Sequence, residues 1–307
     1  MAHGHAHTHE HGHAHGHALP APKQVNKAFI IGIALNLIFV LVEAAAGFWY
    51  DSLALLSDAG HNLSDVISLV LALLAFRMAK VKPNSRYTYG YKKSTVLVSL
   101  LNAIILLVAV GIILAESIEK LRNPQPIAGG VIAWVAGVGI LINAFTAFLF
   151  LKDKERDLNI KGAYLHLMAD ALVSVGVVIS GVIISYTHWY IIDPIIGIAI
   201  AIVILVSTWN LLRDSLRLSL DGVPAGISAE KIRKLLLQVD GVREIHHLHI
   251  WALSTTQNAL TAHVVVASLE DGEAVKNRIK EILSEEHIPH ATLELETVAE
   301  CCTDRTD

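Results

Sequence analysis

Two pairs of residues carry a chemistry that their surroundings do not invite: His61 with Asp65, and His166 with Asp170. Each pair has the spacing His-x-x-x-Asp and lies inside a long apolar run. On a helix, positions i and i+4 share a face, with Cβ atoms roughly 5–6 Å apart, so each pair can point an imidazole and a carboxylate at one spot. Two such helices side by side offer two imidazoles and two carboxylates, a set that suits tetrahedral Zn²⁺. An acid at the centre of a membrane helix costs about 2.5–3.5 kcal/mol on insertion scales. A bound divalent cation offsets that cost by neutralising both carboxylates. The competing reading is an interhelical hydrogen-bond network without metal. Asp58 extends the same helical face (58, 61, 65) and is a candidate for the exit path.

The elements that must position these residues are membrane spans. The chain is 53% hydrophobic and 17% charged, with a mean hydropathy of +0.52, whereas a soluble domain carries about 25% charge. Six apolar segments, at about 28–49, 54–78, 95–117, 127–150, 162–186 and 190–212, are each near the ~20 residues that a spanning helix needs. The second and fifth, which hold the two motifs, are the least uniformly apolar, as expected of helices facing a polar interior. Lys and Arg crowd the connections after segments two and four and flank the first and last segments. The opposite loops hold only Lys120 and Arg122. The positive-inside rule then places both termini in the cytoplasm, and Trp49, Tyr50, Trp189 and Tyr190 fall at the outer interface, where aromatic belts sit. The net charge of −4 speaks against a nucleic-acid partner.

The ends of the chain differ from this membrane core. Residues 1–22 form a His-rich tail in which His alternates with small residues from His3 to His17; it is expected to be disordered and to collect metal loosely. It lacks the basic-then-apolar layout of a secretory signal, so it is expected to stay uncleaved. From about residue 213 the pattern becomes αββαβ, with helices at 228–238 and 272–286 and strands at 243–253, 259–268 and 291–298, a small α+β domain. Its His246, His247, His249, His263, His287, His290, Glu294 and Glu296 offer a further zinc site. Strict alternation would put His247 and His249 on one face and His246 on the other. Cys301 and Cys302 are adjacent, so no disulfide framework is implied.

Other polar groups fall within the spans: Asn36, Glu43, Asn102 and Asn143. Without matching spacing they read as packing groups, although Glu43 could also carry protons. The basic, aromatic loop from Arg86 to Lys93 reads as a membrane-surface anchor without a metal site.

Taken together, Leu56-Ser57-Asp58-Ala59-Gly60-His61-Asn62-Leu63-Ser64-Asp65, Tyr89-Gly90-Tyr91, His166-Leu167-Met168-Ala169-Asp170, Asp193-Pro194, Gly222-Val223-Pro224 and His249-Ile250-Trp251 resemble the cation diffusion facilitator family, zinc-transporter type. The resemblance implies a homodimer of six-helix protomers, a cytoplasmic domain of metallochaperone-like fold, and export of divalent cations in exchange for protons. It carries the transport ligands onto His61, Asp65, His166 and Asp170, and cytoplasmic ligands onto His246, His263, His290 and Glu296. Adjacent Cys301 and Cys302 depart from the Cys-x-x-Cys of vesicular relatives.

The expected molecule is an all-α six-helix membrane domain (23–212) plus a cytoplasmic α+β domain (213–307). It is multi-pass in a bacterial inner membrane and carries Zn²⁺, with Co²⁺ or Cd²⁺ as further cargo. It is not an enzyme: zinc-activated water needs an open coordination position, which four protein ligands close. Competing with the carrier are a metal sensor or buffer, motivated by the His-rich tail, and a passive channel.

Overall fold

The computed structural model describes residues 23–49, 53–123, 131–187, 189 and 191–297. The helices are α1 (Lys23–Trp49), α2 (Leu53–Met78), α3 (Ser94–Arg122), α4 (Val131–Phe150), α5 (Leu158–Thr187) and α6 (Ile192–Ser219). Lys27–Ala46, Ser94–Arg122 and Pro194–Ser219 are long and apolar enough to cross a membrane by length and composition alone, and α4 adds the shorter apolar stretch Gly137–Phe150. The last helix runs past the expected boundary at 212 because Ser215, though polar, is buried against α3 with its hydroxyl 2.6 Å from that of Ser99.

Two of the apolar clusters that hold the bundle bracket α5. Phe29 of α1, Leu69 and Phe76 of α2, Phe150 of α4 and Leu167 of α5 pack together, with the Phe29 and Phe150 rings 4.7 Å apart. Val110 of α3, Ala169 of α5 and Ala201 and Ile204 of α6 form the other. α5 contributes to both clusters, so its register is fixed from two sides. Ile38, Leu41, Val108, Leu141, Val203 and Val206 point outward, as side chains do when lipid is the solvent.

The remaining elements are α7 (Ala229–Leu237), β1 (Val242–Ala252), β2 (Asn258–Val266), α8 (Gly272–Glu285) and β3 (His290–Thr297). This is the αββαβ order read from the sequence. β2 is central, antiparallel to β1 and parallel to β3. Ser228 caps α7 by accepting from the Lys231 amide at 3.2 Å. The apolar stripes of α7 (Ile232, Leu236) and α8 (Val275, Ile279, Leu283) cover one sheet face, against Ile245, Ile250, Leu260, Ala262, Val264 and Val266. The other face carries His263 of β2 and Glu294 and Glu296 of β3 beside Ala259 and Val265.

The sheet domain is fastened to the ends of α3, α5 and α6. Lys93 Nζ donates to the carbonyls of Leu218 (2.8 Å) and Ala252 (3.1 Å) and to Asp221 Oδ1 (2.5 Å). Thr255, in the β1–β2 turn, donates its hydroxyl to Asp157 Oδ2 and its amide to Thr95 Oγ1 (3.1 Å). The other Asp157 oxygen caps α5, accepting from the amides of Asn159 (2.7 Å) and Ile160 (3.3 Å). Burial pushes the Asp157 carboxyl above its usual range, and the Thr255 hydroxyl and these amides partly oppose that shift. The α2–α3 loop turns at Gly90, where φ is +69° and a Cβ would come within 2.9 Å of the Val81 carbonyl. Tyr89 of the same loop reaches the start of β3, its hydroxyl 3.5 Å from His290 Nε2. The loop expected to anchor at the membrane surface therefore also touches the sheet domain.

Candidate metal centres

Asp65 sits midway along α2 and is 1% exposed; His166 and Asp170 sit one turn apart on α5. Asp65 Oδ1 is hydrogen-bonded to His166 Nε2, and Asp170 Oδ2 lies 3.9 Å from that same nitrogen. One ligand atom from each of the three lies within 4.8 Å of the others. Tetrahedral zinc at bonds of 2.0–2.2 Å needs ligand atoms roughly 3.3–3.6 Å apart, so seating an ion on three corners requires Asp170 to close slightly on His166 and the direct Asp65–His166 contact to open around the metal. His61 lies one turn before Asp65 on α2. Its side chain, and that of Asp58, are outside the described residues.

The polar groups around this cluster have structural partners or line its cavity. Glu43 of α1 is fully buried and accepts from Asn62 Nδ2 of α2 at 2.8 Å, an interhelical packing role. Asn36 donates to the Gly32 carbonyl in its own helix at 2.9 Å. Ser68, Leu69, Asn102, Leu106, Gly162 and Ala163 line a small cavity with Asp65 and His166. In the sequence Asn102 reads only as a packing group, and Ser68 does not stand out from the apolar run around it.

The second cluster is on the polar face of the sheet. His246 of β1 is the direct partner of His263 on β2, and His263 is the partner of Glu294 on β3. Glu296, two residues on, projects to the same face as Glu294. It places one oxygen 3.2 Å from His246 Nε2 and the other 2.5 Å from His263 Nδ1. His246, His263 and Glu296 present ligand atoms within 4.8 Å of one another, and His246 and Glu296 are each 6% exposed. Two imidazoles and a carboxylate are donors suited to zinc.

Alternation misleads here because β1 bulges between His246 and His249, with His247 at φ +48°. The bulge swings His247 toward the cluster, its ring 5.0 Å from that of His263, while His249 is left exposed opposite Thr261. His290 is also set apart from the trio within one chain. It opens β3 opposite Ala259, whereas Glu296 lies opposite Val265, a separation of roughly 20 Å at strand rise. His290 faces Tyr89 instead, the rings 5.5 Å apart edge-on. Cys301, Cys302 and the tail of residues 1–22 lie outside the described residues.

Apolar helices around a buried imidazole–carboxylate cluster, with an appended sheet domain, define a membrane cation carrier. The chain matches the family description "Cation efflux transmembrane domain" over residues 29–218 and "Cation efflux protein, cytoplasmic domain" over residues 224–297. It belongs to the cation efflux family and is an integral membrane protein. It is 35% identical over 279 residues to the "Cadmium, cobalt and zinc/H(+)-K(+) antiporter" of Bacillus subtilis (strain 168), covering 89% of this chain and 90% of the relative. It is 38% identical over 261 residues to "Zinc transporter ZitB" of Escherichia coli (strain K12), covering 84% and 83%. With "Metal cation efflux system protein CzcD" of Cupriavidus metallidurans it shares 35% identity over 277 residues, covering 90% and 88%.

Proposed function

We propose that this protein exports divalent cations, zinc foremost, from the cytoplasm in exchange for protons, with His61, Asp65, His166 and Asp170 as the transport ligands. The observation that carries the reading is the meeting of Asp65, His166 and Asp170 in the buried interior between α2 and α5. Imidazole and carboxylate must shed their protons to bind metal. A site open to the cytoplasm therefore loads cation, and the same site open to the outside exchanges it for protons. The names of the relatives, which mention zinc, cadmium, cobalt and protons, agree with this cargo.

The chain works as a homodimer in a bacterial inner membrane, with both termini cytoplasmic. The positive loops support this orientation. His246, His263 and Glu296 hold a second zinc ion in the cytoplasmic domain. A four-ligand transport site leaves no position for an activated water, which argues for a carrier over a metalloenzyme. The test is zinc flux in proteoliposomes under an imposed pH gradient: flux should follow the gradient and reverse with it. Flux indifferent to the gradient would eliminate antiport.

A further inference from the structure

Between Asp65 and His166 on one side and α3 on the other lies a cavity of about 10 Å³, close to the smallest volume that holds one water. Its position relative to the ligands follows from helix direction. α2 runs toward the cytoplasmic domain, so Ser68, one turn past Asp65, lies on that side. α5 runs away from the domain, so Gly162 and Ala163, one turn before His166, lie on that side too. α3 starts beside the domain at Ser94 and brings in Asn102, about 12 Å along its axis. The cavity thus adjoins the cluster on its cytoplasmic-domain face.

Two neutral oxygens line it. Asn102 is 4% exposed and Ser68 is 7% exposed. Neither Asn102 Oδ1 nor Ser68 Oγ has a hydrogen-bond partner among the described residues. A buried oxygen left in that state is costly, and in a membrane interior no bulk water relieves it. Asn102 is also the deepest member of a polar file on α3: Thr95, Ser99 and Asn102, spaced i, i+4, i+7 and each at most 4% exposed. The file begins where Thr95 meets Thr255 of the cytoplasmic domain.

We propose that Asn102 Oδ1 and Ser68 Oγ form an access subsite, on the cytoplasmic-domain side of Asp65 and His166, that takes a divalent cation in place of the single water the cavity can hold, before the transport ligands do. The proposal rests on the transport reading above. Its chemistry is ligand exchange: each neutral oxygen replaces one water of the ion, and the released water stays on the cytoplasmic-domain side. Neutral oxygens bind zinc more weakly than imidazole and carboxylate do, so the subsite stages the ion without trapping it. Proton and electron counts do not change.

The test uses the full chain in proteoliposomes, with initial zinc flux at varied zinc and equilibrium Co²⁺ absorption as a report on the tetrahedral site. Ser68→Ala and Asn102→Leu should each raise half-saturating zinc about tenfold, the equivalent of one lost oxygen contact to a charged group. They should lower maximal flux less than that, and the Co²⁺ spectrum should persist. Ser68→Thr and Asn102→Asp, which keep an oxygen donor, should restore half-saturation. If Asn102→Leu fails to fold, Ser68→Ala against Ser68→Thr still decides. Half-saturation unchanged in Ser68→Ala, or equally raised in Ser68→Thr, overturns the subsite alone, provided the wild-type chain carries zinc. Wild-type protein without flux and without Asp65-dependent Co²⁺ absorption overturns the transport reading and the subsite with it.

Discussion

Asp65 and His166, 101 residues apart in sequence, are hydrogen-bonded side chain to side chain between α2 and α5. The contact joins a helix that runs toward the cytoplasmic domain to one that runs away from it, and Asp170 completes the cluster on the same α5 face. Removing either acid should therefore abolish cation movement without unfolding the bundle. Asp65→Ala and Asp170→Ala are expected to give no zinc flux in proteoliposomes. Asp65→Asn, which keeps the side-chain volume, should be equally inactive and no less heat-stable, because a buried acid costs about 2.5–3.5 kcal/mol in a membrane helix. Flux surviving in Asp65→Ala would remove this cluster from the pathway.

The cytoplasmic cluster predicts a change in metal stoichiometry. Glu296 places one carboxylate oxygen near each of His246 and His263. Its loss should therefore release an ion that neither imidazole retains alone. Glu296→Ala and His263→Ala should each lower bound zinc by about one ion per chain in elemental analysis, because each removes one of the site's three donors. His249→Ala, at an exposed position past the bulge, should leave the count unchanged. Equal losses from all three would mean the trio is not a site.

The transport motif is legible in the sequence because its signal is local: helical period four sets His and Asp on one face. The elements are legible for similar reasons. α7 is expected at 228–238 and is found at Ala229–Leu237, since Ser228 and the apolar stripe fix both its start and its face. The cytoplasmic ligand set is only partly legible. A bulge with a left-handed residue at His247 breaks strand alternation, and no sequence pattern announces it. His290 lies in the same short segment as Glu296, yet a strand's length separates them. The docking of Thr255 on Asp157 leaves no trace in the sequence, because it pairs residues 98 apart. Asp157-Leu158-Asn159 before an apolar run has the pattern of a helix cap, but that pattern does not reveal the partner of the second carboxylate oxygen.

The His-rich tail should be dispensable for net movement. The carrier reading needs ligands only within α2 and α5, so deletion of residues 1–18 should leave maximal zinc flux intact and change at most the zinc needed for half-saturation. Loss of all flux in the truncated chain would favour a sensor or buffer whose tail is the working part.

Close helix contacts in the outer half of the bundle give a stability prediction. A Cβ added at Gly176 of α5 would come within 2.5 Å of Ile200 Cδ1 and 2.9 Å of Ile196 Cγ2 on α6. Small residues let membrane helices approach in this way. Gly176→Ala should destabilise the protein by about 1–3 kcal/mol, the usual cost of overpacking. Gly111→Ala, where the new Cβ meets nothing within 4 Å, should be neutral. Thermal unfolding in detergent distinguishes the two, and equal behaviour would contradict the α5–α6 packing.

The last prediction concerns pH. Asp157 is buried where the β1–β2 turn meets α5, and burial raises its carboxyl above the ordinary 3.8. In the unfolded chain it ionises near 3.8; in the folded chain it ionises only at higher pH. Below 3.8 both states are protonated and the burial costs nothing in charge. Between the two values the folded state holds the extra proton, so stability falls as pH rises. Above the folded value the penalty is constant. Asp157→Asn removes the titration while its amide oxygen still caps α5, and its amide NH₂ can donate to the Thr255 hydroxyl. The melting-temperature difference, wild type minus Asp157→Asn, should therefore decline as pH rises above about 4 and then level off, the window set by an ordinary carboxyl and a raised one. A flat or rising difference would mean that the Asp157 carboxylate is not desolvated by the docked turn.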